Sequence, residues 1–325
     1  MHPQNLLIDQ LADDPAEREI ARLVQQLNSL EEGERAAAKL IGWGGAAIGP
    51  LRRFLLDGKP SIVYQPRRWA VEALAGIGAK EPLIQFLKLQ KDIPDSAVRL
   101  SEEVVENSAA KALSAWPTDE VFETLLDCAL PHPGVGLIEA LARFANPETI
   151  PYFIRALEDD TCRSAALRAL RRLGPRVDVA LLAAALTRLP SDADESASSV
   201  KRRISALEIL GELECSPAFW ALLRPLIDDR NSDIVIAACN IAAKSGSTDD
   251  QRASISRLLS ILRSADWFAQ DKIESCLVAL YAAGKDILEG EIARRSGLPA
   301  EQRSTDRVLR TLLRVKHRTN EALIA

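Results

Sequence analysis

A short unit made of small residues and a leucine recurs along this 325-residue chain. Aligning the units on the leucine gives intervals of roughly 28–40 residues, the length of one helical hairpin. Neighbouring hairpins must stack, because one hairpin cannot bury its apolar face alone. The pattern therefore predicts an all-α solenoid of stacked helix pairs. The aligned positions are Leu40, Leu74, Leu113, Leu141, Leu170, Leu210, Ile241 and Leu280.

The composition of the chain favours the same helical interpretation. Hydrophobic residues make up 47% of the sequence but aromatic residues only 5%, so alanine, leucine and isoleucine must form most of the core. Alanine and leucine are strong helix formers, and the alternating β-branched runs that would predict strands are missing. No shift in composition divides the chain, which predicts one continuous array over residues 1–325. The acidic, serine-rich residues 191–199 are expected to form a flexible loop.

Charge and cysteine content argue against several classes of protein. A formal net charge of −5 does not fit a nucleic-acid-binding protein that relies on overall positive charge. The five cysteines stand apart without a CxxC pair, which predicts reduced thiols rather than a disulfide framework or a zinc site. No apolar run approaches the length of a membrane span, and no secretion signal is visible in the first residues. These features predict a cytoplasmic protein.

Two stretches carry a more specific pattern, in which a first helix with an early proline precedes a second helix rich in arginine and alanine. They are residues 150–170, and residues 48–51 taken together with residues 68–74. This pattern resembles HEAT-like repeats, and in particular those of phycobilin-lyase-type proteins. The resemblance implies a right-handed α-solenoid of about eight helix pairs, whose second helices line a concave binding face. Later units depart from the pattern, because Ile234 and Ile273 replace the arginine that begins the second helix.

The second helices present an alternating charge when they are aligned on the leucine. Two residues before the leucine stand, in consecutive repeats, Glu72, Lys111, Glu139, Arg168 and Glu208. Packed helices lie about 8–10 Å apart, a separation that two long side chains can span. These positions therefore predict a ladder of ion pairs between repeats, each contributing at most about 1 kcal/mol.

Arginines concentrate at two levels of the second helices. One group stands near the start of these helices, the other lies beyond the leucine in the central repeats, and Arg168 stands two residues before the leucine. Arginine forks bind carboxylate or phosphate bidentately, so these residues could receive an acidic segment of a protein partner or a nucleic-acid backbone. The alternative is that the first group pairs with aspartates of the preceding turn, such as Asp159 and Asp160. The candidate partner-binding residues are Arg67, Arg68, Arg143, Arg163, Arg168, Arg171, Arg172 and Arg203.

A basic helix is predicted from Pro299 to the C-terminus. Arg303, Arg307, Arg310 and Arg314 recur in it at helical spacing, so that they share one face. Such a face could dock on an acidic partner or a membrane surface. A terminal repeat also needs a polar outer face for solubility, and the sequence leaves both interpretations open.

Catalytic and metal-binding motifs are not visible in the sequence. The three histidines, at positions 2, 132 and 317, are too scattered to predict a metal site. The glycines between Gly42 and Gly45 lack the preceding strand and the lysine of a phosphate-binding loop. No nucleophile motif surrounds any serine. We therefore expect no catalytic residue, no cofactor and no bound metal.

The sequence leads to one functional prediction and two alternatives. The prediction is a non-catalytic scaffold or adaptor that binds another protein on the concave face of the solenoid. One alternative, implied by the resemblance, is an accessory or lyase-like subunit of a tetrapyrrole or protein-modification system. The other is a HEAT-like nucleic-acid binder, against which the overall charge argues.

Overall fold

The computed structural model describes residues 14–89, 92–129, 133–190, 194–213 and 215–324. These residues form α-helices joined by turns, as the sequence predicts, and their single β-type pairing is an isolated bridge between Pro190 and Glu195. The Cα positions divide the chain into two compact units, with the division between Arg172 and Leu173. The continuous array over residues 1–325 stays a prediction.

The helices of the first unit pack as two rows. The first-helix row consists of α1, α3, α5, α7 and α9, and the second-helix row of α2, α4, α6, α8 and α10. Along the first row α1 contacts α3, α3 contacts α5 and α5 contacts α7, while α2, α4, α6 and α8 contact one another in order. This is the predicted stack of helix pairs. The helices are α1 (Pro15–Gln26), α2 (Gly33–Trp43), α3 (Gly45–Leu56), α4 (Gln65–Ile77), α5 (Lys80–Lys88), α6 (Ser96–Leu113), α7 (Asp119–Ala129), α8 (Val135–Leu141), α9 (Ile150–Ala156) and α10 (Arg163–Leu173).

The second unit repeats this arrangement. Its second-helix row runs from α12 through α14 and α16 to α19, each helix in contact with the next. In the other row α11 contacts α13, and α15 contacts α17. The helices are α11 (Asp178–Leu186), α12 (Ala197–Glu212), α13 (Pro217–Leu223), α14 (Ser232–Ser245), α15 (Thr248–Leu262), α16 (Trp267–Leu280), α17 (Lys285–Ser296), α18 (Ala300–Thr305) and α19 (Arg307–Ile324).

The aligned leucines form the core between the rows. All eight aligned positions are at most 1% exposed, which confirms that the repeated leucine is a core residue. Small residues such as Ala70, Ala110 and Ala169 are buried beside them and allow close approach of the helices. Among the described helices, none combines the length and the apolar character that crossing a bilayer requires.

Two helix ends follow directly from the local sequence. Asp14 accepts a hydrogen bond from the backbone N–H of Ala16 (2.9 Å), and Pro15 is the first residue of α1. Gly78 ends α4 with a φ of 88°, a left-handed conformation that favours glycine. This turn lets the N–H of Ala79 reach the carbonyl of Leu74 at 2.9 Å.

The prediction of one helix from Pro299 to the C-terminus is wrong in one respect. The structure has two helices there, α18 and α19. Asp306 stands at the break, where its carboxylate accepts the N–H of Leu309 (3.0 Å) and a guanidinium N–H of Arg295 (2.7 Å). Arg314 and Arg318 of α19 both donate to Glu274 of α16, at 2.7 and 3.1 Å. Part of the basic face therefore docks the terminal helix on its own unit.

The acidic segment at residues 191–199 also differs from the prediction, although residues 191–193 lie outside the described residues. The side chain of Glu195 is only 6% exposed and accepts the hydroxyl of Ser199 at 2.6 Å. Ser196 caps α12 by accepting the N–H of Ser199. The expectation of a flexible loop is therefore not met at residues 195–199.

Gly33 begins α2 directly against the indole ring of Trp69, and a Cβ at this position would overlap that ring. We expect Gly33→Ala to lower the free energy of unfolding by about 1–3 kcal/mol, because overpacking outweighs the gain in helix propensity. A Cβ at Gly42, in the same helix, would have no atom within 4 Å. Gly42→Ala should therefore raise the free energy of unfolding by about 0.5–1 kcal/mol. Urea denaturation of both variants tests these two predictions. A Gly33→Ala variant more stable than the parent would contradict the close contact between Gly33 and Trp69.

Candidate functional site

The C-terminal ends of α6 and α8 and one side of α10 enclose a pocket of about 320 Å³ on the second-helix row of the first unit. Its floor contains Ala142, Ala165 and Ala169, whose short side chains leave the space open. Longer polar side chains stand around this floor, and we call the whole the basic pocket. They are Lys111 and Ser114 from α6 and its end, Glu139 and Arg143 from α8 and the turn that follows, and Arg168 and Arg172 from α10.

Glu139 lies between two of the cations. Its carboxylate is 3.7 Å from the ammonium of Lys111 and 3.4 Å from the guanidinium of Arg168. This confirms the predicted ion ladder for these three members. Because Lys111 and Arg168 are 70% and 61% exposed, each pair contributes at most about 1 kcal/mol and leaves both cations accessible. Glu72, another predicted member, pairs with Arg68 of its own helix at 2.8 Å.

Arg143 and Arg172 complete the basic pocket and make no ion pair within the described residues. Both side chains are exposed. The pocket thus holds four cationic side chains around the single carboxylate of Glu139. Cations at helix C-termini are also favoured by the helix dipole, which accounts for part of this clustering. The excess of positive charge, however, leaves two guanidinium forks able to bind carboxylate or phosphate groups.

Arg67 has a structural role and is not part of the basic pocket. It is 5% exposed, donates to the carbonyl of Leu55 at 2.7 Å and forms a buried ion pair with Glu102 of the next second helix. Its guanidinium also lies over the ring of Phe86, 5.2 Å from the centroid. The side chain therefore joins two repeats and presents almost no surface to a partner.

Arg203 repeats this arrangement in the second unit. It is 1% exposed, donates to the carbonyl of Ala185, and bridges the carboxylates of Glu195 and Asp229, all at 2.8 Å. Burial acts to raise the pKa of Asp229, but the N–H of Asn231 and the guanidinium of Arg203 outweigh it. The pKa of Asp229 consequently lies below its ordinary value.

The two other arginines near helix starts are also engaged within the first unit. Arg163 donates to the carbonyl of Leu157 (2.9 Å) and to Asp160 (2.5 Å), as the structural alternative predicts. Arg68 pairs with Glu72. Arg171 is exposed on α10 but lies outside the lining of the basic pocket. Of the eight candidate residues, the structure thus brings together Arg143, Arg168 and Arg172, and it adds Lys111.

The cysteine thiols lie where burial raises their pKa. All five cysteines are free, and burial raises the pKa of the Cys128 and Cys239 thiols to about 11. A thiol with such a pKa stays protonated at neutral pH and is a poor nucleophile. Among the described residues no cluster of histidine, cysteine and carboxylate side chains has the arrangement of a metal site. His2 and His132 lie outside the described residues.

Comparison with known proteins identifies similar folds only. No family model and no curated protein matches the chain. Solved structures similar to it include the CpcE–CpcF complex of phycocyanin lyase from a Nostoc species, with 21% identity over 83% of this chain and 97% of that chain, at a TM-score of 0.35. Human deoxyhypusine hydroxylase in complex with glycerol matches with 17% identity over 86% and 99% of the two chains, at a TM-score of 0.31. A designed armadillo repeat protein matches with 17% identity over 80% and 99%, at a TM-score of 0.20.

These similarities are too distant to carry an argument about activity. The fold assignment rests instead on the helix rows, the buried leucines and the arginines that join repeats. On these features the chain is an all-α helical repeat protein, similar to HEAT-like and armadillo-like repeat structures.

Proposed function

We propose that this protein is a binding scaffold that takes an acidic segment of another protein in the basic pocket. The observation that carries the proposal is the imbalance of charge there, with Lys111, Arg143, Arg168 and Arg172 around the single carboxylate of Glu139. Two glutamates or aspartates of a partner could each meet one guanidinium fork, in a geometry that a single lysine does not provide.

The size of the pocket fits such a segment better than a large cofactor. A volume of about 320 Å³ accommodates a few side chains, and the alanine floor leaves room for their apolar stems. The surrounding cations are exposed, so a partner can reach them without unfolding any helix. Charge pairs of this kind also steer association, which makes the on-rate sensitive to salt.

The test is a charge reversal of the two arginines that make no ion pair within the described chain. The probe is a fluorescein-labelled peptide with six consecutive glutamates, and a peptide with six glutamines serves as its neutral counterpart. We expect Arg143→Glu with Arg172→Glu to weaken binding of the glutamate peptide about tenfold or more, as measured by fluorescence anisotropy. The glutamine peptide should bind neither protein.

A matched control keeps the total change of charge constant. Arg35 and Arg99 are exposed in the same unit and form no ion pair among the residues that the structure describes. Arg35→Glu with Arg99→Glu should change the affinity less than about twofold, because only long-range screened charge is altered. Equal losses in both double variants would contradict a localised site. Preferential binding of a labelled single-stranded oligonucleotide of the same charge would favour a nucleic-acid partner instead.

A further inference from the structure

A second pocket lies on the first-helix row of the first unit, between α1 and α3. Its volume is about 520 Å³, within the range of small-molecule sites. Each helix contributes one face, with residues spaced by three, four and seven positions. These residues are Ala21, Val24, Gln25 and Asn28 from α1, and Pro50, Arg53, Phe54 and Asp57 from α3. We call this space the α1–α3 groove.

The connection between α3 and α4 forms the third wall of the groove and is held in place. The hydroxyl of Ser101, on α6, donates to the carbonyl of Ile62 at 2.9 Å. Within the connection, the hydroxyl of Ser61 donates to the carbonyl of Val63 and accepts the N–H of the same residue. The hydrogen bond from Ser101 ties the wall to the next repeat, and the two between Ser61 and Val63 brace the connection itself.

The lining combines an apolar surface with an excess of cations. Val24, Phe54 and Val63 offer apolar contacts, while Arg53 and Lys59 form no ion pair within the described residues. One carboxylate, that of Asp57, also lines the groove.

Arg67 adds a buried polar group to the same lining. It is 5% exposed, and its charge is balanced by Glu102. Its Nε–H is buried and donates no hydrogen bond, which is costly unless a partner is supplied.

We propose that the α1–α3 groove binds an amphipathic organic anion. The apolar body would lie against Val24, Phe54 and Val63, and a carboxylate or sulfonate group would meet Arg53 and Lys59. This site is separate from the basic pocket, with which it shares no residue. Its test is therefore independent of the proposed scaffold function.

Two fluorescent probes with the same aromatic body test the proposal. 8-Anilinonaphthalene-1-sulfonate carries an anionic group, and N-phenyl-1-naphthylamine does not. We expect Arg53→Gln with Lys59→Gln to weaken binding of the sulfonate about tenfold and binding of the neutral probe less than twofold. Arg35→Gln with Arg99→Gln, which removes the same charge elsewhere on the unit, should leave both affinities within about twofold of the parent.

A variant that fills the space locates the probes. Ala21 lines the groove on α1, and Ala21→Trp should abolish most of the fluorescence of both probes. Near-ultraviolet circular dichroism verifies that the variant is folded. If Ala21→Trp is not folded, the proposal is tested by comparing the two probes on the Arg53 and Lys59 variant alone. Equal losses of both probes in that variant, undiminished binding to folded Ala21→Trp, or no binding of the sulfonate to the parent protein would each overturn the proposal.

Discussion

Replacing Arg203 by methionine should lower the free energy of unfolding by about 3–5 kcal/mol, because it leaves two buried carboxylates without their main cation. The side chains of Glu195 and Asp229 are 6% and 5% exposed and share the guanidinium of Arg203 at 2.8 Å. Arg188 also reaches them, at 3.3 and 3.6 Å, but it is 41% exposed and its attraction is screened by water. We therefore expect the lower end of this range, about 3 kcal/mol.

Urea denaturation followed by circular dichroism measures this loss. If the free energy of unfolding depends on urea concentration with the same slope in both proteins, the surface exposed on unfolding is the same. Arg263→Met is the matched control, since Arg263 is exposed in the same unit and forms no ion pair among the described residues. It should change the free energy of unfolding by less than about 0.5 kcal/mol. A loss below about 1 kcal/mol in Arg203→Met would show that Arg188 replaces it.

The core and the local helix ends could be predicted from the sequence because neighbouring residues determine them. A leucine that recurs among small residues has one environment in a stack of helices, and every aligned position is buried. Asp14 before Pro15, and Gly78 after α4, act on their own turn of helix. The sequence does not predict the break at Asp306, because Arg295, which helps to hold it, stands eleven residues away in another helix.

The arginines show the limit of this reasoning. Arg67, Arg163 and Arg203 hold equivalent positions before the leucine, yet Arg67 and Arg203 are buried while Arg163 keeps part of its surface. The difference depends on Glu102, Asp229 and Asp160, which come from different elements of the repeats. Alignment on one helix cannot show which acid the packing of other elements places beside an arginine.

The basic pocket was only partly predictable for a related reason. The positions of Arg143, Arg168 and Arg172 beyond or just before the leucine make them candidates in the sequence, and the structure brings them together. For Lys111 the sequence predicts only a place in the ion ladder. Ala165 and Ala169 of the floor resemble every other buried alanine in sequence, so no signal in the sequence marks the cavity.

The carboxylate of Asp250, on α15, joins α13 and the residue that follows it to the start of its own helix. It is 8% exposed and accepts the indole N–H of Trp220 (3.0 Å), the guanidinium N–H of Arg224 (2.5 Å) and the hydroxyl of Ser247 (2.9 Å). The hydrogen bond from Trp220 is the main reason why the pKa of Asp250 lies far below its ordinary value, with Arg224 next. The ionised form is therefore the one that the fold requires.

Asp250→Asn should lower the free energy of unfolding at pH 7 by about 2–4 kcal/mol, because an amide cannot accept all of these donors and leaves at least one unsatisfied. Since the folded pKa is depressed, the contribution of the carboxylate is complete above its unfolded pKa and is lost as the pH falls toward the folded value. The difference between parent and variant should consequently shrink below about pH 4. Urea denaturation at pH 7 and at pH 3 measures both effects.

Asp249→Asn provides the control, because Asp249 is adjacent and exposed and its side chain makes no hydrogen bond within the described residues. Its effect should stay within about 0.5 kcal/mol at both pH values. A difference between the parent and Asp250→Asn that remains constant from pH 7 to pH 3 would contradict the role of the charge. Asp250 would then act only through its shape, and the acid sensitivity of the second unit would have to come from other carboxylates, such as Asp229.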